Sequence, residues 1–202
     1  MKIICIGRNY AEHIDELHNE KPSEPVIFLK PETAILQKKF PFIIPEFSSN
    51  VHHEIELVIK INKVGKYINA KFAHKYYDEV TVGLDFTARD LQDALKSKGL
   101  PWEKAKAFDG SAVVGEFISK ETLDLADAAF TLTNNGTVAQ QGNTAQMLWK
   151  VDELIAEVSK YFTLKKGDLL FTGTPPGVAK VTRGDVLEGF LKENKLFKVQ
   201  VK

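Results

Sequence analysis

The stretch His52-His53-Glu54-Ile55-Glu56-Leu57-Val58-Ile59-Lys60-Ile61 has the alternating pattern of a β-strand. Successive side chains of a strand point to opposite faces of its sheet. The isoleucines and Leu57 therefore share one face, and His52, Glu54 and Glu56 share the other, with the two carboxylates about 7 Å apart. Taken alone, this pattern favours an antiparallel strand with one solvated face. The alternative is that the two carboxylates belong to an oxygen-ligand site for a hard cation.

Composition restricts the class of protein. The chain has 202 residues, 44% of them hydrophobic and 27% charged, as expected of a globular domain with a substantial core. A formal net charge of +0 argues against a nucleic-acid partner. The single cysteine, Cys5, excludes an internal disulfide and a thiolate metal site. No apolar run approaches the roughly 20 residues of a membrane helix, so we expect no membrane partner and a cytoplasmic location.

Turn-forming residues divide most of the chain into short segments of strand-like composition. The predicted strands are Lys2–Ile6, Val26–Leu29, Glu54–Ile61, Glu79–Leu84, Ala112–Phe117, Phe130–Asn134, Asp168–Thr172, Asp185–Phe190 and Phe197–Val201. The predicted helices are Tyr10–Leu17, Ala88–Lys98 with a Thr87 capping box, and Ala145–Tyr161 with Thr144 as its N-cap. Because strands dominate without regular alternation with helices, the sequence predicts an α+β, mainly β fold in one domain, residues 1–202.

A third acid extends the candidate cation site. Asp85 ends a predicted strand and could complete an oxygen cage for Mg²⁺ with Glu54 and Glu56. The alternative role for Asp85 is the N-cap of the helix that follows. Three carboxylates around a divalent cation leave a charge of −1, which an anionic substrate would not favour. Lys106 or Arg89 could offset that charge, although exposure to solvent is the usual fate of such side chains.

One pair of side chains and two turn-forming segments also stand out in the sequence. His13 and Glu16 are three residues apart on a predicted helix, where they are neighbours, and a carboxylate beside an imidazole favours general-base chemistry. Without further information, an exposed helical turn is the better interpretation of this pair. Asn134-Asn135-Gly136-Thr137 predicts a tight hairpin turn. The segment Gly173–Gly177 suits close approach of the backbone to a ligand, but it lacks the ending of a phosphate-binding loop.

The order of motifs along the chain resembles the fumarylacetoacetate hydrolase family, in its compact single-domain branch. The similarity runs from about Gly7 to about Gly189. The motifs that carry it are Asn9-Tyr10-Ala11-Glu12-His13 with Glu16, Phe28-Leu29-Lys30-Pro31, His53-Glu54-Ile55-Glu56-Leu57, Asp85–Gln92, Lys98-Gly99-Leu100-Pro101-Trp102 with Lys106, Asn135-Gly136 with Gln141, and Thr172–Val178.

The resemblance implies a mixed β-sandwich or β-roll with a few short helices, and a homodimer. It implies Mg²⁺, or Mn²⁺ in its place, held by Glu54, Glu56 and Asp85. Lys106 would lie near the metal, and His13 and Glu16 would form a catalytic pair on a lid. The remaining members of the implied site bind substrate: Arg89, Gln92, Gly173 and Thr174.

The substrates implied by the resemblance are 2-oxo acids and diketo acids. The sequence-based prediction is hydrolysis of a C–C bond in an acylpyruvate-like compound, with His13 activating water and Lys106 stabilising negative charge. The alternatives are decarboxylation, tautomerisation or isomerisation of a 2-oxo diacid such as oxaloacetate, and a catalytically idle dicarboxylate-binding protein. Val113 stands where the family has a proline. We expect the loops Asn19–Pro25 and Asp109–Val114 to select the substrate.

Overall fold

The computed structural model describes residues 1–16 and 20–202, in which strands predominate. The strands are β1 (Ile3–Gly7), β2 (Val26–Lys30), β3 (Val51–His53), β4 (Ile55–Ile61), β5 (Tyr77–Asp85), β6 (Thr87–Ala88), β7 (Ala112–Val114), β8 (Ile118–Ser119), β9 (Ala129–Asn134), β10 (Thr137–Asn143), β11 (Leu169–Phe171), β12 (Ala179–Lys180), β13 (Val186–Leu191) and β14 (Asn194–Gln200). The helices are α1 (Ala11–Glu16), α2 (Ala70–Ala73), α3 (Arg89–Lys96), α4 (Glu103–Lys106) and α5 (Val151–Tyr161). Short 3-10 helices cover Glu32–Ala34, His74–Tyr76, Lys120–Thr122 and Thr144–Gln146. This composition confirms the predicted α+β, mainly β class.

Three sheets organise these strands. The largest has the order β2-β1-β11-β4-β5-β7, with β8 also paired to β5. Strands β1 and β11 run parallel, while the other pairs in this sheet are antiparallel. A second sheet has the order β10-β9-β13-β14, and a third, small sheet joins β12, β3 and β6. Antiparallel pairing explains why short turns suffice for many of the connections.

The main core lies between the two larger sheets. Ile55, Leu57, Ile59 and Ile61 of β4 belong to one cluster with Leu132 of β9 and Leu187 of β13. Val151 and Leu154 of α5 belong to the same cluster. The apolar face predicted from the alternation of β4 is therefore an inner face of a β-sandwich. The division of the chain into a single domain remains a prediction.

The opposite face of β4 is also covered, so the interpretation of a solvated face is wrong. Val58 lies in a second apolar cluster that includes Ile3, Phe171 and Ala112. Glu54 and Glu56 are only 5% and 2% exposed. Alternation alone could not reveal this burial because the covering groups come from distant parts of the chain. Two acids consequently point into the protein rather than into water.

Other predictions differ from the structure in detail. Helix α5 begins at Val151, with Lys150 as its N-cap, because Thr144 instead begins a separate 3-10 turn. Asp85 is the last residue of β5, and Ala88 is the N-cap of α3, so neither the Asp85 cap nor the Thr87 capping box forms. The hairpin turn is confirmed, since Asn135 and Gly136 have φ of 53° and 80° between β9 and β10. Leu17, the last residue of the predicted first helix, lies outside the described residues.

The described residues contain no helix that is both long enough and apolar enough to cross a membrane.

Gly83 permits the close packing of β5 beside the acids. It pairs with Glu56 on one side and with Val114 on the other. A Cβ at this position would lie 2.4 Å from the backbone oxygen of Val113, which cannot move without moving its strand. No larger residue fits here without displacing β7.

We predict that Gly83→Ala lowers the free energy of unfolding by about 1–3 kcal/mol, the usual cost of overpacking. Gly7→Ala is the matched control, because a Cβ at that strand position meets nothing closer than 3.8 Å. Denaturant unfolding of both variants measures the difference. Equal stability of the two would contradict this account of β5.

Candidate functional site

Three acids converge where β4 and β5 meet. Glu54 lies between β3 and β4, Glu56 lies within β4, and Asp85 ends β5. The backbone N–H of Asp85 donates to the oxygen of Glu54 at 2.9 Å, which aligns the two strand ends. One carboxylate oxygen from each acid lies within 4.8 Å of the others, and all three residues are buried. The structure thus brings together the three metal ligands predicted from the sequence.

Two cations predicted to balance these acids are also present. The ammonium of Lys106, at the end of α4, is 2.8 Å from Glu54 Oε2 and 2.7 Å from Asp85 Oδ2. It also donates to Thr87 Oγ1 at 2.5 Å. Arg89 pairs with Glu54 through Nη2 and donates to Gln92 Oε1 at 2.6 Å through Nη1. All donors of the Lys106 ammonium are therefore in use.

A third cation, Lys30, was missed by the sequence analysis. Its side chain is completely buried at the end of β2, and its Nζ lies 2.7 Å from Asp85 Oδ1. It also donates to the backbone oxygen of Lys106 and to Ser111 Oγ, the latter at 2.9 Å. Lys30 therefore holds Asp85, α4 and the start of β7 together. The only signal in the sequence was its place in the motif Phe28-Leu29-Lys30-Pro31, to which we assigned no role.

The electrostatics of the two glutamates differ. Burial, and then the neighbouring Asp85 carboxylate, raise the pKa of Glu56 well above its ordinary value. Burial alone would also raise the pKa of Glu54, but Lys106 and Arg89 together hold it below its ordinary range. Among the described residues, the carboxylate of Glu56 receives one hydrogen bond, from the N–H of Gly173 at 2.6 Å. Glu56 is thus the acid that most needs a further positive charge.

This donor set fits a hard divalent cation. Such ions prefer several carboxylate oxygens, and Glu54, Glu56 and Asp85 offer them at mutually compatible distances. The raised pKa of Glu56 indicates an acid whose ionised form lacks enough nearby positive charge. A bound cation would supply that charge. The oxygen ligands suit both Mg²⁺ and Mn²⁺.

The short helix α1 carries the predicted His13–Glu16 pair. His13 Nδ1 is 3.0 Å from Glu16 Oε2, and the imidazole is only 6% exposed. The other oxygen of Glu16 accepts the backbone N–H of Gly177 at 2.9 Å. Glu16 therefore contacts both the imidazole and the glycine-rich turn. The exposed-turn interpretation of this pair is wrong, because His13 is buried against the site.

The glycine-rich turn is held against the base of α1. Gly173 has a φ of +98°, and a Cβ there would lie 2.8 Å from the Cβ of Asn9. The amide of Asn9 donates to the oxygen of Thr172 at 2.8 Å and to that of Trp149 at 3.1 Å. Only glycine combines this backbone conformation with so close a neighbour. The turn can therefore direct the Gly173 N–H toward Glu56.

Gln140 connects the turn to the acids. Its Oε1 accepts from the N–H of Ile55 at 3.0 Å and lies 2.9 Å from His53 Nδ1. Its Nε2 donates to Thr174 Oγ1 at 2.9 Å and to the oxygen of Pro175 at 3.0 Å. All four hydrogen-bonding positions of the buried amide are satisfied.

The motif quoted from the sequence included Gln141, whereas the glutamine that is buried in the structure is its neighbour Gln140. Gln141 is exposed, whereas Gln140 is 2% exposed. The pairing of β10 with β9 shifts register between Val138 and Gln140, which reverses the side-chain alternation. A β-bulge of this kind cannot be read from alternation.

One cleft contains most of the predicted site. Predicted residues that line it are His13, Glu54, Glu56, Asp85, Arg89, Gln92, Lys106 and Thr174. Glu16 and Gly173 adjoin it through hydrogen bonds to Gly177 and Glu56. The cleft is also lined by residues to which the sequence analysis gave no role, among them Arg8, Lys96 and Trp102. None of the described residues 20–25 or 109–114 lines this cleft, and Asn19 lies outside the described residues, so the role of these two loops in substrate selection stays a prediction.

The fold and the site define a protein with a buried acidic centre beside the short helix α1. The chain belongs to the fumarylacetoacetate hydrolase family, because the family model "Fumarylacetoacetate (FAA) hydrolase C-terminal" matches residues 2–201. This result confirms the resemblance and the predicted fold.

Named relatives point to enzymes of small oxo acids. The chain is 44% identical over 188 residues to "Oxaloacetate tautomerase YcgM" of Escherichia coli, covering 92% of this chain and 86% of that protein. It is 44% identical over 189 residues to "Oxaloacetate decarboxylase, mitochondrial" of Dictyostelium discoideum, covering 93% and 87%. A fumarylpyruvate hydrolase from Pseudomonas aeruginosa, solved with Mn²⁺ and pyruvate, matches with a TM-score of 0.94. That structure is 36% identical and covers 100% of this chain and 89% of its own.

We predict that Gln140→Met lowers the free energy of unfolding by about 2–4 kcal/mol, since it leaves several buried polar groups without partners. Gln141→Met, at the exposed neighbour, is the matched control and should change stability by less than about 0.5 kcal/mol. Chemical denaturation of both variants tests this. If both changes have the same small effect, Gln140 does not hold the turn.

We predict that Mn²⁺ or Mg²⁺ raises the thermal unfolding temperature of the wild type. A cation at about 100 times its Kd would add about 2.7 kcal/mol to the free energy of unfolding. Glu56→Gln should lose most of this gain, whereas Glu79→Gln, an acid paired with Lys60 outside the cleft, should keep it. A gain that persists in Glu56→Gln would place the cation elsewhere.

Proposed function

We propose that the protein catalyses keto–enol tautomerisation of a 2-oxo diacid of the oxaloacetate type, with a divalent cation. The observation that carries the proposal is the charge of the cleft. Glu54, Glu56 and Asp85 contribute −3, and Lys30, Lys106 and Arg89 contribute +3, as inferred from their contacts. A divalent cation would bring the sum to +2, and Arg8 and Lys96, which also line the cleft, add further positive charge, so the cleft suits a substrate with two carboxylates. The names of the relatives support the same substrate class.

We therefore rank hydrolysis of an acylpyruvate, the reaction predicted from the sequence, below tautomerisation. An acylpyruvate with a single carboxylate would leave the cleft with excess positive charge. The sum of −1 predicted from the sequence counted only the three carboxylates and the divalent cation, and Lys30, Lys106 and Arg89 add three positive charges to it.

The cation would be held by Glu54, Glu56 and Asp85, with Lys106 adjacent. When bound, it would supply Lewis-acid polarisation of the oxo group and so acidify the neighbouring carbon. The remaining chemistry is a proton transfer by side chains of this chain. The keto and enol forms differ only in one proton, which leaves C3 and arrives on the oxygen at C2, or the reverse.

His13 is the residue we assign to the proton at C3. The carboxylate of Glu16 only accepts hydrogen bonds, so the hydrogen shared at 3.0 Å lies on His13 Nδ1. This arrangement leaves Nε2 unprotonated and able to act as a base. Lys106 would stabilise the negative charge that develops on oxygen through its own positive charge, since its three donors are used by protein groups. Arg89, Gln92, Gly173 and Thr174 would orient the substrate around these groups.

A second candidate function is hydrolysis of a C–C bond in a diketo diacid. The same His13–Glu16 pair favours it, because an oriented imidazole can deprotonate water as well as carbon. The similarity to a fumarylpyruvate hydrolase also supports this candidate. Simultaneous measurement of enol decay and of pyruvate release separates the two reactions.

We further propose that the protein acts as a homodimer in the cytoplasm. Phe40, Ile43 and Phe47 are 60%, 68% and 56% exposed within one segment, which supports a covered apolar surface in the assembled protein. Some relatives are named as mitochondrial, so the compartment rests on the sequence argument alone.

We predict that the wild type with Mn²⁺ accelerates ketonisation of enol-oxaloacetate, followed by the loss of its ultraviolet absorbance. His13→Ala should reduce the rate by about 10²–10⁴-fold, the usual contribution of a general base. The exposed His74→Ala is the control and should retain the wild-type rate. Failure of the wild type to act on oxaloacetate, with turnover of a diketo diacid instead, would favour hydrolysis.

A further inference from the structure

Lys96 is a cation in the cleft wall without an acidic partner. It is the last residue of α3, is partly buried, and lines the same cleft as the three acids. Its Nζ lies 5.3 Å from the centroid of the Trp102 ring, a cation–π distance. Within residues 1–16 and 20–202, its ammonium makes no hydrogen bond and no ion pair. Three N–H donors are therefore free to bind an anion.

The other cations near the acids are committed to protein groups. Lys106 uses its ammonium on Glu54, Asp85 and Thr87. Arg89 uses one terminal nitrogen on Glu54 and the other on Gln92. Lys30 is completely buried beneath the cleft. Lys96 therefore differs from them in having none of its donors bound to a protein group, whereas Arg89 has only its buried Nε without a partner among the described residues.

The surroundings of Lys96 favour an anion. Burial, followed by repulsion from Arg89 and Arg8, lowers the pKa of its ammonium, and the attraction of Asp93 on the same helix offsets only part of this effect. Like charges placed together in a half-buried wall are costly unless a negative ligand joins them. The ring of Trp102 restrains the Lys96 side chain from one side. The centroid of this ring lies 6.1 Å from the centroid of the Phe28 ring. The wall is thus ordered by apolar packing rather than by an acid.

We propose that Lys96 is the specificity-determining residue that binds the second carboxylate of the substrate. This inference rests on the proposed function, because it assumes that the first carboxylate and the oxo group lie at the acidic centre. Lys96 then distinguishes a diacid from a monoacid with the same 2-oxo head group. Trp102 positions the Lys96 ammonium.

The test compares two unreactive probes that differ by one carboxylate. Malate and lactate share a 2-hydroxy acid group, but only malate has a second carboxylate. Binding of each to the Mn²⁺-loaded protein is measured by titration calorimetry for the wild type, Lys96→Met, Lys96→Arg and Lys98→Met. Lys98 is exposed, lies two residues beyond Lys96 and does not line the cleft, so it controls for loss of a nearby charge.

The wild type should prefer malate over lactate by about 10- to 100-fold, the range expected of a charge-assisted hydrogen bond. Lys96→Met should lose most of that preference while its affinity for lactate stays unchanged. Lys96→Arg and Lys98→Met should retain the preference. The KM for oxaloacetate should rise in Lys96→Met with little change in kcat.

Two results would overturn the proposal in distinguishable ways. If Lys96→Met keeps the preference for malate, the second carboxylate is bound elsewhere, although the diacid function stands. If the wild type itself shows no preference, the diacid function fails together with the role of Lys96. An equal loss of affinity for both probes in Lys96→Met would also overturn the proposal, because it would indicate a general electrostatic effect.

Discussion

Burying three carboxylates within a few ångströms of one another costs free energy unless cations lie beside them. Lys30, Lys106 and Arg89 meet this requirement, and each comes from a different element: β2, α4 and α3. The need for these cations explains much of the surrounding architecture. The extended β5 carries Asp85 to the point where the ammonium groups converge, and β4 presents Glu54 and Glu56 to the same place.

Lys30 also explains how the small helices are fixed. A four-residue helix such as α4 has little stability of its own. Its last residue, Lys106, accepts a hydrogen bond from Lys30 at the backbone oxygen and makes ion pairs through its side chain. The acidic centre therefore orders α4 as much as α4 contributes to the centre. Removal of either partner would leave a buried charge without compensation, which is far more costly than loss of an exposed ion pair.

The sequence predicted the acids better than the groups around them. Alternation placed Glu54 and Glu56 on one face, and the ordered motifs identified the family and most of the cleft. Lys30 escaped notice because lysine is seldom fully buried, and only the tertiary structure shows what surrounds it. The quoted motif contained Gln141 and not Gln140, and the burial of Gln140 depends on a β-bulge in β10 that the sequence does not reveal. The start of α5 was placed too early because a 3-10 turn at Thr144–Gln146 precedes it. The sequence did not predict a role for Lys96, because nothing in its neighbours along the chain distinguishes it from a solvated lysine.

The two carboxylate oxygens of Glu16 have different partners, and they link the orientation of His13 to the position of the glycine-rich turn. One oxygen orients His13, and the other accepts the amide of Gly177 across the cleft. When α1 is displaced from the glycine-rich turn, Glu16 loses an anchor and His13 loses its fixed orientation. The orientation of the imidazole therefore depends on the position of the glycine-rich turn. The same turn directs the Gly173 N–H to Glu56, so the base and the acidic centre both depend on one backbone segment.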